Sequence, residues 1–293
     1  MRTFIAAVFI PLVLFGYSTT ALPAAGADGD EEAAAANADV GFVAKGDKLP
    51  NDVVKGDGDA NRLKPLLESL PDGHRLRLEF TTVPKSLTGY KEDLRYVKLV
   101  TTVDAAGKPD GTEIEQLDWY RHFRRKTLYK NGVRDGVEQM FFPGTNKVEV
   151  EIPWVNGQIH GVKKTFHPSG AKAGETPYEH GKIVGESRSF TEKGALLRVV
   201  RFADGDRDGE MIDYWPDREG KVDRSSPYRK GRVHGMSKAF YADGKPKWER
   251  PFRDNRQHGV EKQFAPDGKV ERERFWIEGD TVSPEEFKAK FKP

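Results

Sequence analysis

From Arg75 onward apolar and polar positions alternate in short runs, "RLRLEF", "RYVKLVTTV" and "EQLDWYRHF", and a period of two predicts strands. Farther along, Gly and aromatic residues punctuate the alternation at fixed places. Aromatic residues at Tyr129, Trp154, Tyr178, Phe202, Tyr228, Phe252 and Trp276 are separated by 25, 24, 24, 26, 24 and 24 residues. Three positions past the ring stands Gly132, Gly157, Gly181, Gly205 or Gly231, replaced once by Asn255, and seven past it stands Gly136, Gly161, Gly185, Gly209, Gly235 or Gly259. Gly and Asn tolerate positive φ, so both places read as turn geometry. A second ring lies twelve past the first, at Phe141, Phe166, Phe190, Tyr214, Phe240 and Phe264. Then "PSG", "EKG", "ADG" and "PDG", ending at Gly170, Gly194, Gly244 and Gly268, suit a type I turn followed by a left-handed residue.

Each unit is therefore expected to be a β-hairpin, with the Gly pair as the return turn to the next. The fold class predicted is all-β, an elongated single-layer antiparallel meander of about six 24-residue hairpins. If Tyr241 pairs with Lys245, then Phe240 faces Pro246 and Lys238 faces Trp248. Carried along the chain, that register gathers both ring series onto one face. The same face would carry Trp248 with Lys164, Arg188, Lys238, Lys262, Arg198, Arg224, Arg250, Arg272 and Arg274, and the opposite face Glu151, Glu175, Glu249 and Glu273. The aromatic and cationic face is the candidate binding face, its long side chains lying across neighbouring rings.

Hairpins are marginal alone and stack for stability, so the ends need caps. The repeats are placed at 127–279, a strand-rich N-terminal cap that can hold diverged copies at 61–126, and a capping helix at 280–293. That helix is signalled by Ser283 as N-cap, Pro284 at the first position and Glu286 three after the cap. Residues 28–60, which include "DGDEEAAAANAD", read as a disordered linker, with one short helix candidate following, "NRLKPLLESL".

Composition narrows the function classes. Hydrophobic residues make up 37% and charged residues 32%, too little apolar material for a large globular core. The formal net charge of +2 gives no whole-molecule attraction to a polyanion, and no nucleic-acid partner is expected. Cys is absent, which excludes disulfides, thiolate metal sites and a lipid-modified Cys. Residues 1–27 have the three parts of a secretory signal: Arg2, an apolar run from Phe4 to Phe15, and small residues that allow cleavage after Ala27 or Ala21. The run is shorter than the roughly 20 residues of a spanning helix. Export to the periplasm or outside the cell is expected, the rival being an uncleaved N-terminal anchor.

His160, His234 and His258 fill one repeat slot, but equivalent slots are two strands, about 9–10 Å, apart, too far for shared zinc. "DGDRDGE", Asp204 to Glu210, imitates a calcium loop with Trp215 at the twelfth place instead of Glu. Asp57, Asp59 and Asn61 with Glu68 meet half the same pattern, with Arg62 where Gly belongs. No nucleophile beside a base and no phosphate-cradling loop stands out, so no enzyme activity, cofactor or metal is expected.

The pattern aromatic-x-x-Gly-x-x-x-Gly, then aromatic, then Asp-Gly-Lys, best carried by "YRKGRVHG", "FRDNRQHG" and "WVNGQIHG", resembles the bacterial variant of the MORN repeat found in YwqK-type antitoxins. The resemblance covers Tyr129 to Trp276. It implies an elongated sheet of hairpins used for protein or membrane-surface contact, with no catalytic residues. Expected partners are a protein or an anionic envelope surface. An antitoxin that neutralises a toxin, or a structural envelope protein without a discrete ligand, remain alternatives.

Overall fold

The computed structural model describes residues 40–49, 59–83, 86, 94–116 and 123–291. The signal-like segment and most of the expected linker lie outside the described residues. What is described is one open antiparallel sheet of 23 strands. It begins with β1 (Val40–Ala44), helix α1 (Asp59–Glu68), β2 (Arg75–Val83), β3 (Leu94–Val103), β4 (Pro109–Gln116) and β5 (Phe123–Lys130). It continues through β6 (Val133–Arg134), β7 (Gly136–Phe141), β8 (Val148–Val155), β9 (Gln158–Ile159), β10 (Gly161–Phe166), β11 (Lys172–Glu179), β12 (Lys182–Ile183), β13 (Gly185–Phe190) and β14 (Leu196–Ala203). Then come β15 (Asp206–Tyr214), β16 (Val222–Arg229), β17 (Arg232–Val233), β18 (Gly235–Phe240), β19 (Pro246–Arg253), β20 (Arg256–Gln257), β21 (Gly259–Phe264), β22 (Val270–Ile277), β23 (Asp280–Val282) and helix α2 (Pro284–Lys290). Strand β1 falls inside the stretch expected to be linker, because Val43 finds a buried place beside Leu76.

The two Gly of each unit do different work. At the first, Asn131 and Gly132 have φ of 52° and 84°, and Tyr129 pairs with Arg134 across them, so the return is a two-residue turn with both central residues left-handed. Asn255 keeps a φ of 72° where Gly is replaced. The second Gly is not in the turn, as expected, but inside the ladder: Gly259 pairs with Trp276 and brings its backbone against Pro251, which an added Cβ would meet at 2.7 Å. Return turns stack on one another, since the third-slot N–H donates to the preceding unit's short strand, as in Gly157 to Arg134 (2.8 Å) and Gly279 to Gln257 (2.9 Å). Gly132 makes the same bond to Pro109 at 2.8 Å, and Gly111 pairs with Tyr129. The segment from Asp104 to Gln116 is therefore a diverged copy inside the N-terminal cap.

The far turn of each hairpin forms as expected, with Tyr241 N–H to Lys245 O and Gly244 N–H to Tyr241 O both at 2.8 Å. Just beyond it, one residue on the returning strand is left over: Phe240 pairs with Pro246, but Ala239 pairs with Trp248 and Lys238 with Glu249. The same β-bulge recurs in all six hairpins, with Glu149, Ala173, Leu197, Asp223, Lys247 and Glu271 as the extra residues. A bulge shifts the pairing by one, and a one-residue shift exchanges the faces of a strand.

The bulge corrects the predicted faces. Lys238 faces Glu249, not Trp248. The first ring series (Tyr129 to Trp276) lies on one face, and the second (Phe141 to Phe264) on the other. Of the ten residues expected on a single face, Arg198, Arg224, Trp248, Arg250, Arg272 and Arg274 share the first, called here the arginine face. Lys164, Arg188, Lys238 and Lys262 occupy the second, the ladder face, together with Glu151, Glu175, Glu249 and Glu273.

Both ends cover the ladder face. Near the N-terminus α1 lays Leu63 and Leu67 on Val43, Leu76, Leu78, Val97 and Val100, the main apolar core of the chain. Each fully buried Leu or Val there contributes about 1.5–3 kcal/mol. At the C-terminus Ser283 stands in the slot of the second Gly, and its side chain accepts from Glu286 N–H, with Pro284 opening the helix. The chain thus leaves the sheet as α2, and Phe287 packs on Phe275 with centroids 5.2 Å apart. Among the described residues no helix is long and apolar enough to cross a membrane.

Candidate functional site

On the ladder face three of the four expected cations are neutralised in place, and Lys164 stands in register with Glu151 and Glu175 without a carboxylate within 4.0 Å among the described residues. Lys238 lies 3.3 Å from Glu249, Lys262 lies 3.8 Å from Glu273, and Arg188 lies 3.4 Å from Glu175. Lys172, then Arg188, hold the Glu175 carboxyl below the usual carboxylate range. Such cross-strand pairs contribute roughly 0.2–1 kcal/mol each. The first two tie the strands of one hairpin and the third joins neighbouring hairpins, and the paired groups leave little charge for a partner.

The arginine face differs along its length. At its N-terminal part Glu113 and Glu115 stand within 3.4 and 3.5 Å of Arg125. Buried Glu138 accepts from the indole Nε1–H of Trp154 at 2.8 Å, with Arg125 and Arg134 at 3.7 and 3.8 Å. The C-terminal part repeats the motif once, where Glu261 accepts from Trp276 Nε1–H at 3.0 Å and from Arg250 Nε–H at 3.0 Å. Arg198 is held by Asp213. Among the described residues Arg224, Arg272 and Arg274 have no carboxylate within 4.0 Å.

Beside Arg224 runs a groove of about 240 Å³ lined by Arg224, Ser226, Val233, Ser237, Trp248, Arg250 and Phe252. Its shape follows from the register. Strand β18 offers this face Gly235, Ser237 and Ala239, small residues set between the long side chains of β16 and β19. Arg250 lies over the Trp248 ring at 4.4 Å and Arg224 approaches the same ring at 5.9 Å. Ser237 at the floor is 3% exposed, and its hydroxyl has no hydrogen-bond partner among the described residues. A buried unpaired hydroxyl costs about 1–3 kcal/mol, a cost that a ligand oxygen or amide reaching the floor would relieve. Two guanidinium groups flanking an indole suit a carboxylate or another anion on an extended partner. A second depression of about 450 Å³, lined by Ala44, Lys45, Pro71, Asp72, Gly73, His74 and Arg75, includes no aromatic ring besides the imidazole.

The His slot has a structural role that spacing alone did not show. Its occupants, Asp or His in most units, reach the next return turn: Asp135 accepts from Asn156 N–H at 3.1 Å, Asp208 from Lys230 N–H at 3.4 Å and His258 Nδ1 from Glu278 N–H at 3.3 Å. His234 meets Asp254 at 3.2 Å, and His160 packs on His180 with centroids 5.2 Å apart. Asp204 and Gly205 form a return turn, and Asp206 and Asp208 lie on β15, so "DGDRDGE" is used as repeat structure. Asp57 lies outside the described residues. The signal for the slot was available in the alternation of Asp135, His160, Asp208, His234 and His258 at equal spacing from the rings.

No curated protein matches the chain. Residues 257–278 match the family described as MORN repeat variant, the stretch that holds β21, β22 and the last return turn. The match supports a MORN-repeat protein, and the ladder register extends the same unit back through every hairpin to Tyr129.

Proposed function

We propose that the protein is a non-enzymatic, exported binding protein whose sheet offers the C-terminal part of its arginine face to an acidic partner. The observation that carries this reading is the pairing pattern of the cations. Among the described residues Arg224, Arg272 and Arg274 have no carboxylate within 4.0 Å. Arg224 lines the groove with Trp248 and the unpaired Ser237 hydroxyl, and Arg272 and Arg274 lie on the same face on β22, while on the ladder face Lys238, Lys262 and Arg188 are neutralised by Glu249, Glu273 and Glu175. Unpaired guanidinium groups on a rigid sheet keep their attraction for an incoming anion, and many modest contacts along an array sum to useful affinity.

The signal-like N-terminus supports export, with the partner on the envelope or an exported protein. An antitoxin role would use the same face against a toxin with an acidic surface. Capture from the native envelope fraction tests the reading: the wild-type protein retains a partner that the variant with Arg224, Arg272 and Arg274 replaced by Gln does not. Retention by that variant, or capture solely of a cytoplasmic toxin by signal-bearing protein, would count against the exported-binder reading.

A further inference from the structure

In this sheet every long returning strand carries the next hairpin on its outer side. Strand β16 carries β18 through Arg224–Ala239 and Ser225–Lys238, and β19 carries β21 through Trp248–Gln263 and Glu249–Lys262. The last returning strand, β22, has no such neighbour. Its residues Phe275, Trp276 and Ile277 pair outward with β23, then Ser283 and Pro284 turn the chain into α2. Among the described residues nothing pairs with the outer edge of Val270 to Arg274. Val270 is 47% exposed.

We propose that this edge accepts an extended segment of a partner protein by strand addition, with a basic residue of that segment opposite Glu273. The charge order across the ladder face specifies the residue. Reading outward, Lys238 meets Glu249 at 3.3 Å, Glu249 pairs in register with Lys262, and Lys262 meets Glu273 at 3.8 Å. Signs alternate, and the series stops on an acid whose outer side is open. Glu273 stands where Glu249 stands one unit earlier, so the rung it lacks is the one Lys262 supplies to Glu249.

The chain's own strands show what fits. Four of the six segments that dock on returning strands read "KTF" at 164–166, "RSF" at 188–190, "KAF" at 238–240 and "KQF" at 262–264, a cation, a small or polar residue, then a ring, while "QMF" at 139–141 and "IDY" at 212–214 keep only the ring. On the arginine face the residue next to the cation would lie beside Arg272, where Ala239 and Gln263 lie in earlier units, so a short polar or acidic side chain is favoured there. Main-chain hydrogen bonds supply the affinity of such strand addition, and the alternate side chains supply its selectivity. Charged Glu271, Arg272, Glu273 and Arg274 guard the edge against apolar strands while admitting a strand of matching sign. The residues lining the Trp248 groove lie outside β22, and because Arg272 and Arg274 belong to both β22 and the arginine face, Glu273→Lys, which changes only the ladder side of the edge, is the variant that scores the edge separately.

The probe is the synthetic peptide GMSKAF, the sequence of 235–240, titrated into isotope-labelled full-length protein with amide hydrogen exchange read residue by residue. The peptide is expected to slow exchange within 270–274, and GMSEAF to bind about twofold to fivefold more weakly, the effect of one cross-strand charge pair. In the Glu273→Lys variant the order of the two peptides reverses. No slowing within 270–274, equal effects of both peptides, or an edge already protected by self-association of the wild-type protein would each overturn the proposal.

Discussion

Trp154 donates its indole hydrogen to the Glu138 carboxylate at 2.8 Å, across the ladder from one hairpin strand to the next. Trp276 does the same to Glu261 at 3.0 Å. Where the first ring is Phe instead, at Phe202 and Phe252, the partner slot holds Ser187 and Ser237. In these four units the ring and the residue two places beyond its paired Gly are matched, because an indole N–H needs an acceptor when it is half-buried and a phenyl ring does not. At Ser237 the match leaves a hydroxyl without a partner among the described residues, and that is where the groove opens.

Glu138 is 4% exposed and answers Trp154, Arg125 and Arg134 together. Glu138→Ala leaves the half-buried Trp154 indole N–H without its acceptor and is expected to destabilise the fold by about 1–3 kcal/mol. Lys262→Ala on the ladder face breaks a half-exposed pair with Glu273 and costs within about 1 kcal/mol. Urea unfolding of the two variants checks the order, and equal midpoints would remove the buried acceptor from the account.

Gly259 and Gly244 both have positive φ, 126° and 91°, but differ in their surroundings. A Cβ at Gly259 meets Pro251 Cγ at 2.7 Å, whereas one at Gly244 meets nothing within 4 Å. Both Ala variants carry backbone strain of about 1–3 kcal/mol, and Gly259→Ala adds a clash with a ring that cannot swing away. Thermal melts should show a lower Tm for Gly259→Ala than for Gly244→Ala.

His74 Nε2 lies 2.8 Å from Asp110 Oδ2, tying the turn after α1 to the diverged repeat copy. The bond to Asp110 raises the His74 pKa, and His74, then the Asn131 N–H, lower that of Asp110. Stability from a raised His is complete below its unfolded value of about 6.5 and is lost as pH rises through the folded one. Stability from a lowered Asp is present above about 3.9 and lost as pH falls through its folded value. The pair therefore helps most between about pH 4 and 6.5. His74→Gln should lower Tm in that window, by less as pH rises through the raised His74 value, as followed by circular dichroism across a pH series.

The hairpins, both turn types and the C-terminal cap were legible in the sequence because each has a residue that only certain backbone angles admit: Gly132, Gly244 and the Ser283–Pro284 start. The bulge at Lys247 and its equivalents was not, since an extra Lys, Ala, Leu, Asp or Glu in a strand leaves no such mark, and missing it moved half of the predicted face to the other side. A signal did exist. The acids three before each ring, Glu151, Glu175, Glu249 and Glu273, and the cations ten after, Lys164, Arg188, Lys238 and Lys262, have opposite signs, as cross-strand neighbours do. Strand β1 was hidden because "VGFVA" is short and lies next to an Ala-rich, acidic stretch.

Division of the cations between two faces is what a binding titration can read. Three proteins are compared against fluorescent poly-glutamate over a salt series: the wild type, an arginine-face variant (Arg224, Arg272 and Arg274 to Gln) and a ladder-face variant (Arg188, Lys238 and Lys262 to Gln). Each variant loses three charges, so net charge is held equal. The arginine-face variant should bind at least about tenfold more weakly, the effect of roughly 1.4 kcal/mol, with a shallower salt dependence, while the ladder-face variant stays close to the wild type. Equal weakening of both variants, or none in the first, would contradict the assignment of the binding face.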